Sequence, residues 1–134
     1  MKRVRRMAEL VALRLALPAR LDREPLDELL AGLTRGTQAS KDSSSLAVVT
    51  RDLRLAERGL THLPWVPSTC LYRSLGRYAV LRKIGADASF VMGLGPGGVA
   101  ADGHAWVEVD GTPFDERDDV SCYTITFRYP RIRG

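Results

Sequence analysis

The sequence predicts an α+β fold in which helices come first and an antiparallel sheet follows. Three observations carry that expectation. Apolar residues recur every three or four positions through the first half, the period shortens to two after Gly85, and Asp110-Gly111 sits between apolar runs as a tight hairpin signal. The 134 residues suit a single domain over 1–134. Within it, 1–66 reads as a helical N-terminal part and 67–134 as the part that carries the chemistry.

From Val4 to Leu17, the residues Val4, Met7, Leu10, Val11, Leu13, Ala16 and Leu17 have helical spacing, and Pro18 is expected to end that helix. A second helix is expected from Pro25 to Leu33, with proline in its first turn and Gly36 beyond its end. The stretch "TRGTQASKDSSS", 34–45, has no apolar period and reads as a loop. Ser43, Ser44 or Ser45 then caps a third helix running to Arg58, with Leu46, Val49, Leu53 and Leu60 toward the core and Gly59 just past the end. "LPWVPSTC" is extended or turning. Leu71, Leu75, Tyr78 and Leu81 or Arg82 mark a fourth helix that stops at Gly85. Beyond it, "ADASFVMG" is a strand, "GPGG" a turn, and "HAWVEV" a strand with Ala105, Val107 and Val109 on one side. "SCYTITFRY" supplies the last strand, which would bury Cys122.

Apolar residues at 45% and charged residues at 27% are ordinary for a soluble globular protein. The net charge of +4 comes with arginine patches at "MKRVRR" and "RYPRIRG". Such patches fit an acidic peptide, a nucleic acid or an anionic membrane, or are simply a solvated face. No aromatic platform alternates with the basic residues, which speaks against nucleic acid. No run approaches the roughly 18 apolar residues of a membrane span. "LVALRLAL" is interrupted by Arg14 and lacks a cleavage site, so it reads as an amphipathic helix rather than a secretory signal. Two cysteines far apart make no disulfide framework, and a cytoplasmic location with reduced thiols is expected.

Cys70 follows two possible caps, Ser68 and Thr69, and opens the fourth helix. Unpaired N–H groups and the helix dipole favour negative charge there, as a thiol nucleophile requires. His104 heads the "HAWVEV" strand, and an imidazole is suited to take a thiol proton near neutral pH. Asp115 lies on the return strand of the hairpin, where it is expected to come back beside His104 and orient its ring. Asp110 is the rival orienter, although as a turn residue it more naturally holds the hairpin. Each residue also has a plain reading: Cys70 as a small buried hydrophobe, His104 as a strand-edge residue, Asp115 as a turn acceptor. His62 reads as a packed or partly exposed loop residue. A metal site from Cys70, His104, Cys122 and Asp115 lacks the close ligand pairs of zinc sites, so no metal and no cofactor is expected. "GLGPGG" opens no helix, which argues against a phosphate loop. Trp65 and Trp106 are the aromatic candidates for substrate contact.

"STCLYRSLGRYAVLRKIGADASFVMGLG" and "DGHAWVEVDGTPFDE" together resemble the transglutaminase-like cysteine-protease core, in the form found in leader peptidases of lasso peptide biosynthesis. The resemblance runs from about Pro67 to Glu116. It implies a papain-like fold with the nucleophile at a helix N-terminus, Cys70 as that nucleophile, His104 as base and an acid after the hairpin, which points to Asp115. It further implies hydrolysis of the leader from a ribosomally made precursor peptide. The implied partners are that precursor, a separate leader-binding protein and an ATP-using lasso cyclase, with this chain as the stand-alone protease half. A non-catalytic or acyl-transferring module for peptide binding or modification is the alternative of the same shape.

Overall fold

A computed structural model describes residues 2–35, 45–64, 66, 69–95, 103–116 and 119–130. Among these residues four helices, α1 (Lys2–Arg23), α2 (Leu26–Arg35), α3 (Leu46–Thr61) and α4 (Cys70–Lys83), precede four strands, β1 (Ala88–Leu94), β2 (Gly103–Val109), β3 (Thr112–Pro113) and β4 (Thr124–Tyr129). The sheet order is β3-β2-β1-β4 with every pairing antiparallel, so the chain is α+β as expected. "GPGG" from position 96 onward, and 36–44 of the expected loop, lie outside the described residues.

The first helix does not stop at Pro18 but continues to Arg23. A proline inside a helix removes one hydrogen bond and costs about 3 kcal/mol. Leu17, just before the proline, is fully buried and Leu21, just past it, is partly buried against the core, and a fully buried leucine contributes roughly 1.5–3 kcal/mol, so packing on both sides of Pro18 offsets the break. Helical bonding resumes past the proline, with Glu24 N–H donating to Arg20 O at 2.8 Å and Arg20 Nε donating to Glu24 Oε2 at 3.1 Å.

The second helix begins after Pro25, whose carbonyl accepts from Leu29 N–H, and takes in Thr34 and Arg35, which the sequence placed in a loop. In α3 the cap is Ser45, which accepts from Val48 N–H at 3.3 Å. Val49, Leu53 and Leu60 face the core as expected, but Leu46 is exposed and Gly59 lies within the helix, because the period carries on to Leu60 and the chain stops at His62. His62 is exposed.

The fourth helix is buried on most of its circumference. It packs on α1, α2 and α3 on one side and on β1 and β2 on the other. Gly76 permits the close approach of α1, since a Cβ there would stand 2.8 Å from Leu10 Cδ1 and 3.3 Å from Arg14 Cδ. Gly85, at φ 87°, then turns the chain from helix to strand, and glycine adopts that backbone without a side-chain clash.

Opposed residues in the β1–β2 register sort the sheet into two faces. Ala105, Val107 and Val109 share a face with Phe90 and Met92 and join the core beneath the helices. His104, Trp106 and Glu108 share the other face with Gly93, Val91 and Ser89. Strict alternation predicts a wet second face, yet Trp106 and Glu108 are both buried. Tyr123 packs edge-on against Trp106, and Arg128 of β4 donates to Glu108 Oε1 at 2.7 Å, so the segment leading into β4 covers that face. Cys122 belongs to the turn before β4 and is exposed, not buried.

Candidate functional site

A buried hydrogen bond ties the helix that begins with Cys70 to the strand that bears His104. Ser74, one turn into α4 from Cys70, donates its hydroxyl to the carbonyl of Ala105 at 3.0 Å. Residues four apart lie on one helix face, so the end of α4 that carries Cys70 lies toward the start of β2, while the register puts the His104 side chain on the sheet face opposite to that of Ala105. Cys70 is partly buried against the core and forms no disulfide. Thr69 takes the cap position without a side-chain cap bond, while its carbonyl accepts from Arg73 N–H at 3.0 Å. Ser68 and Trp65 lie outside the described residues.

Around His104 the structure builds an aromatic and acidic enclosure. Trp106 stacks beside the imidazole with ring centroids 5.8 Å apart and planes 23° apart, and Tyr123 lies 5.7 Å away at a tilt. Gly93 makes room for this stack, because a Cβ there would stand 3.1 Å from Trp106 Cη2 and 2.9 Å from Thr124 O. The carboxylate beside the imidazole is that of Glu116, with Oε1 3.2 Å from His104 Nε2 and both side chains about one-tenth exposed.

Asp115, the expected orienter, faces elsewhere. Its backbone takes a positive φ of 47°, which turns the side chain toward the helices. There its carboxylate accepts from Arg54 Nε at 3.1 Å and Arg77 Nη2 at 3.1 Å, with Arg54 Nη2 on the second oxygen. The Arg54 hydrogen bond, reinforced by the Arg77 charge and opposed by burial, holds the Asp115 carboxyl below the ordinary carboxylate range. Asp110 is an exposed turn residue at φ 53°, paired with Gly111 at φ 80° as a two-residue hairpin requires.

Arg77 is a buried cation that joins α3, α4 and the segment after the hairpin. Its Nε and Nη2 grip the two oxygens of Glu57 at 2.9 and 2.8 Å, and its Nη1 donates to the main-chain carbonyl of Asp115 at 3.1 Å. Burial works against its charge, but Glu57, Asp115 and Glu116 outweigh it and the guanidinium is held more firmly protonated than usual.

A cleft of about 490 Å³ is lined by Trp106, Glu108, Pro113, Glu116, Asp119, Val120, Ser121, Tyr123 and Ile125, three of which also adjoin the imidazole. Trp106 thus borders open space. Among the described residues no group of three or more His, Cys, Asp or Glu is arranged to hold a metal ion, and no helix is long and apolar enough to cross a membrane.

Sequence reasoning missed Glu116, Arg54, Arg77 and Tyr123. Glu116 was visible as the second acid of "FDE", but adjacent strand positions point to opposite faces, and only the turned backbone at Asp115 decides which acid meets the imidazole.

A family model described as "Transglutaminase-like superfamily" matches residues 4–128, a span that includes the N-terminal helices as well as the sheet. Comparison with curated proteins and with solved structures gives no match.

Proposed function

Because the chain belongs to the transglutaminase-like superfamily, we propose that it is a cysteine peptidase that removes the leader from a ribosomally made lasso peptide precursor, with Cys70 as nucleophile and His104 as base. The observation that carries this reading is the Ser74–Ala105 hydrogen bond, which ties the helix that begins with Cys70 to the strand that bears His104, and Glu116 Oε1 lies 3.2 Å from His104 Nε2. Glu116 takes the orienting role.

In the proposed reaction, Sγ of Cys70 attacks the carbonyl carbon at the leader junction while its proton passes to His104. The backbone N–H of Cys70 helps hold the oxyanion. The tetrahedral adduct then breaks its C–N bond, and His104 returns the proton to the departing amine. Water, losing a proton to the same ring, attacks the thioester and releases the leader carboxylate with the thiol restored. A separate leader-binding protein would present the precursor, and an ATP-using cyclase would act on the released core.

Replacing Cys70 by alanine and incubating the chain with precursor and leader-binding partner tests the assignment. Loss of cleavage at an unchanged melting temperature is expected, and cleavage at the original rate refutes it. Mass spectrometry of the products separates hydrolysis, which yields free leader and core, from transfer of the acyl group to an amine.

A further inference from the structure

Resting on the reading of Cys70 and His104 as nucleophile and base, we infer that Arg77 is a positioning residue: from the helix that begins with Cys70, it holds the Asp115 turn so that Glu116 stands at His104. The guanidinium is 9% exposed and bridges three segments. Glu57 of α3 fixes two of its nitrogens, the carbonyl and carboxylate of Asp115 take donors from the other side, and the Phe114 ring lies 5.9 Å away under the cation.

The bond to the Asp115 carbonyl is the informative one. Charge neutrality is already supplied by Glu57, so a main-chain contact adds little to ion pairing and instead fixes the path of the backbone. That path needs fixing. A non-glycine residue at φ 47° is strained by roughly 1–2 kcal/mol, and Glu116 follows it directly. Upstream, the last backbone tie of the segment to β2 is Phe114 N–H to Val107 O at 2.8 Å. Beyond that bond the grip on residue 115 sets where residue 116 falls.

A residue needed only for packing would not carry charge here, because desolvating a guanidinium costs several kcal/mol unless its geometry is well matched. The charged groups around it are Glu57 and Arg54 from α3, Arg14 from α1, Arg73 from α4 itself, and Asp115 and Glu116 from the segment it holds. The two acids on opposite sides of the fork outweigh the neighbouring arginines.

The test uses the full chain with Cys122→Ser, which leaves Cys70 as its one thiol. The variant R77M/E57Q removes both charges of the buried pair together, so that neither is stranded, and R77K keeps the charge but lacks the planar fork needed to reach Glu57 and Asp115 at once. Folding is checked by circular dichroism. Proton NMR then follows the downfield imidazole N–H that contact with Glu116 produces, identified by its loss in E116Q. Iodoacetamide alkylation of Cys70 at pH 7 is measured alongside.

The resonance is expected in the starting protein and lost in folded R77M/E57Q and in R77K, with alkylation about tenfold slower, part of the 100-fold or more that a well-placed base supplies. Persistence of the resonance in either folded variant, or its absence from the starting protein, overturns the inference. If Cys70 alkylates no faster than the exposed Cys122 does in a C70S chain, the nucleophile reading fails instead, and the resonance still decides whether Arg77 holds Glu116.

Discussion

Substituting the two adjacent acids after the hairpin separates their roles. Glu116 Oε1 lies 3.2 Å from His104 Nε2, both side chains being largely out of water. At an effective dielectric of about 20, unit charges at that spacing attract by about 5 kcal/mol. If half of this is realised as the imidazolium forms, the transition state gains about 2–3 kcal/mol, roughly 30- to 100-fold in rate. E116Q keeps an acceptor oxygen and loses only the charge, so its kcat should fall by that factor. E116A loses orientation as well and should fall about tenfold further. D115N leaves the Asp115 carbonyl on Arg77, so its rate should stay within about tenfold. Its cost should appear in stability, because it weakens part-buried charged bonds worth about 1–2 kcal/mol, or a melting temperature lower by roughly 3–8 °C. The assay is precursor cleavage with its partner, read as kcat and KM separately, with melting followed by circular dichroism. Wild-type cleavage by E116A, or a D115N rate as low as that of E116A at unchanged melting temperature, would refute the reasoning.

The N-terminal arginines divide sharply in what they support. Asp52 of α3 is fully buried and accepts from the buried Arg6, whereas Arg3, half exposed, stands 3.1 Å from its other oxygen without an aligned hydrogen bond. D52A strands the Arg6 cation and should cost about 3–5 kcal/mol, lowering the melting temperature by roughly 10–20 °C, while R3A should cost under about 1 kcal/mol; equal shifts would contradict this. Acid stability should track Asp115 and Glu9. Burial raises the Glu9 carboxyl, but Lys83 and Arg5 outweigh it, and both acids end below the ordinary carboxylate range. A depressed folded pKa means stability that is fully present above the unfolded value near 4 and is lost as pH falls through the folded one. The urea midpoint should therefore drop between about pH 5 and pH 2, and D115N should show a shallower drop than the wild type.

Periodicity made the four helices and the β2–β3 hairpin legible, because each buries one face and each has a terminator with a local cause, such as Ser45 or the Asp110-Gly111 pair. What escaped were effects that only packing decides. Pro18 is tolerated because Leu17 and Leu21 on either side of it pack into the core, and Trp106 and Glu108 on the second face of β2 are buried because Tyr123 packs on the indole and Arg128 bonds the carboxylate. The "MKRVRR" patch reads as a surface for an anionic partner or a solvated face, but Arg6 is an internal tie between α1 and α3, and Arg5 bonds Glu9 on its own helix. At the site, Cys70 at a helix start and His104 at a strand start followed from local patterns. Which neighbouring carboxylate serves His104 depends on a single left-handed residue, and no composition or spacing signals that.

Gly93 has a meaning for the register of the sheet. On its face of β1 the preceding positions are Val91, opposite Trp106, and Ser89; the indole reaches over Gly93, and a two-residue slide of β2 that set Trp106 opposite Ser89 would press it onto the Val91 branch instead. The missing side chain thereby acts as a detent: it selects the one alignment of the two strands in which the imidazole sits at the sheet's end. The geometry around His104 is in this way written partly in an atom that is not there.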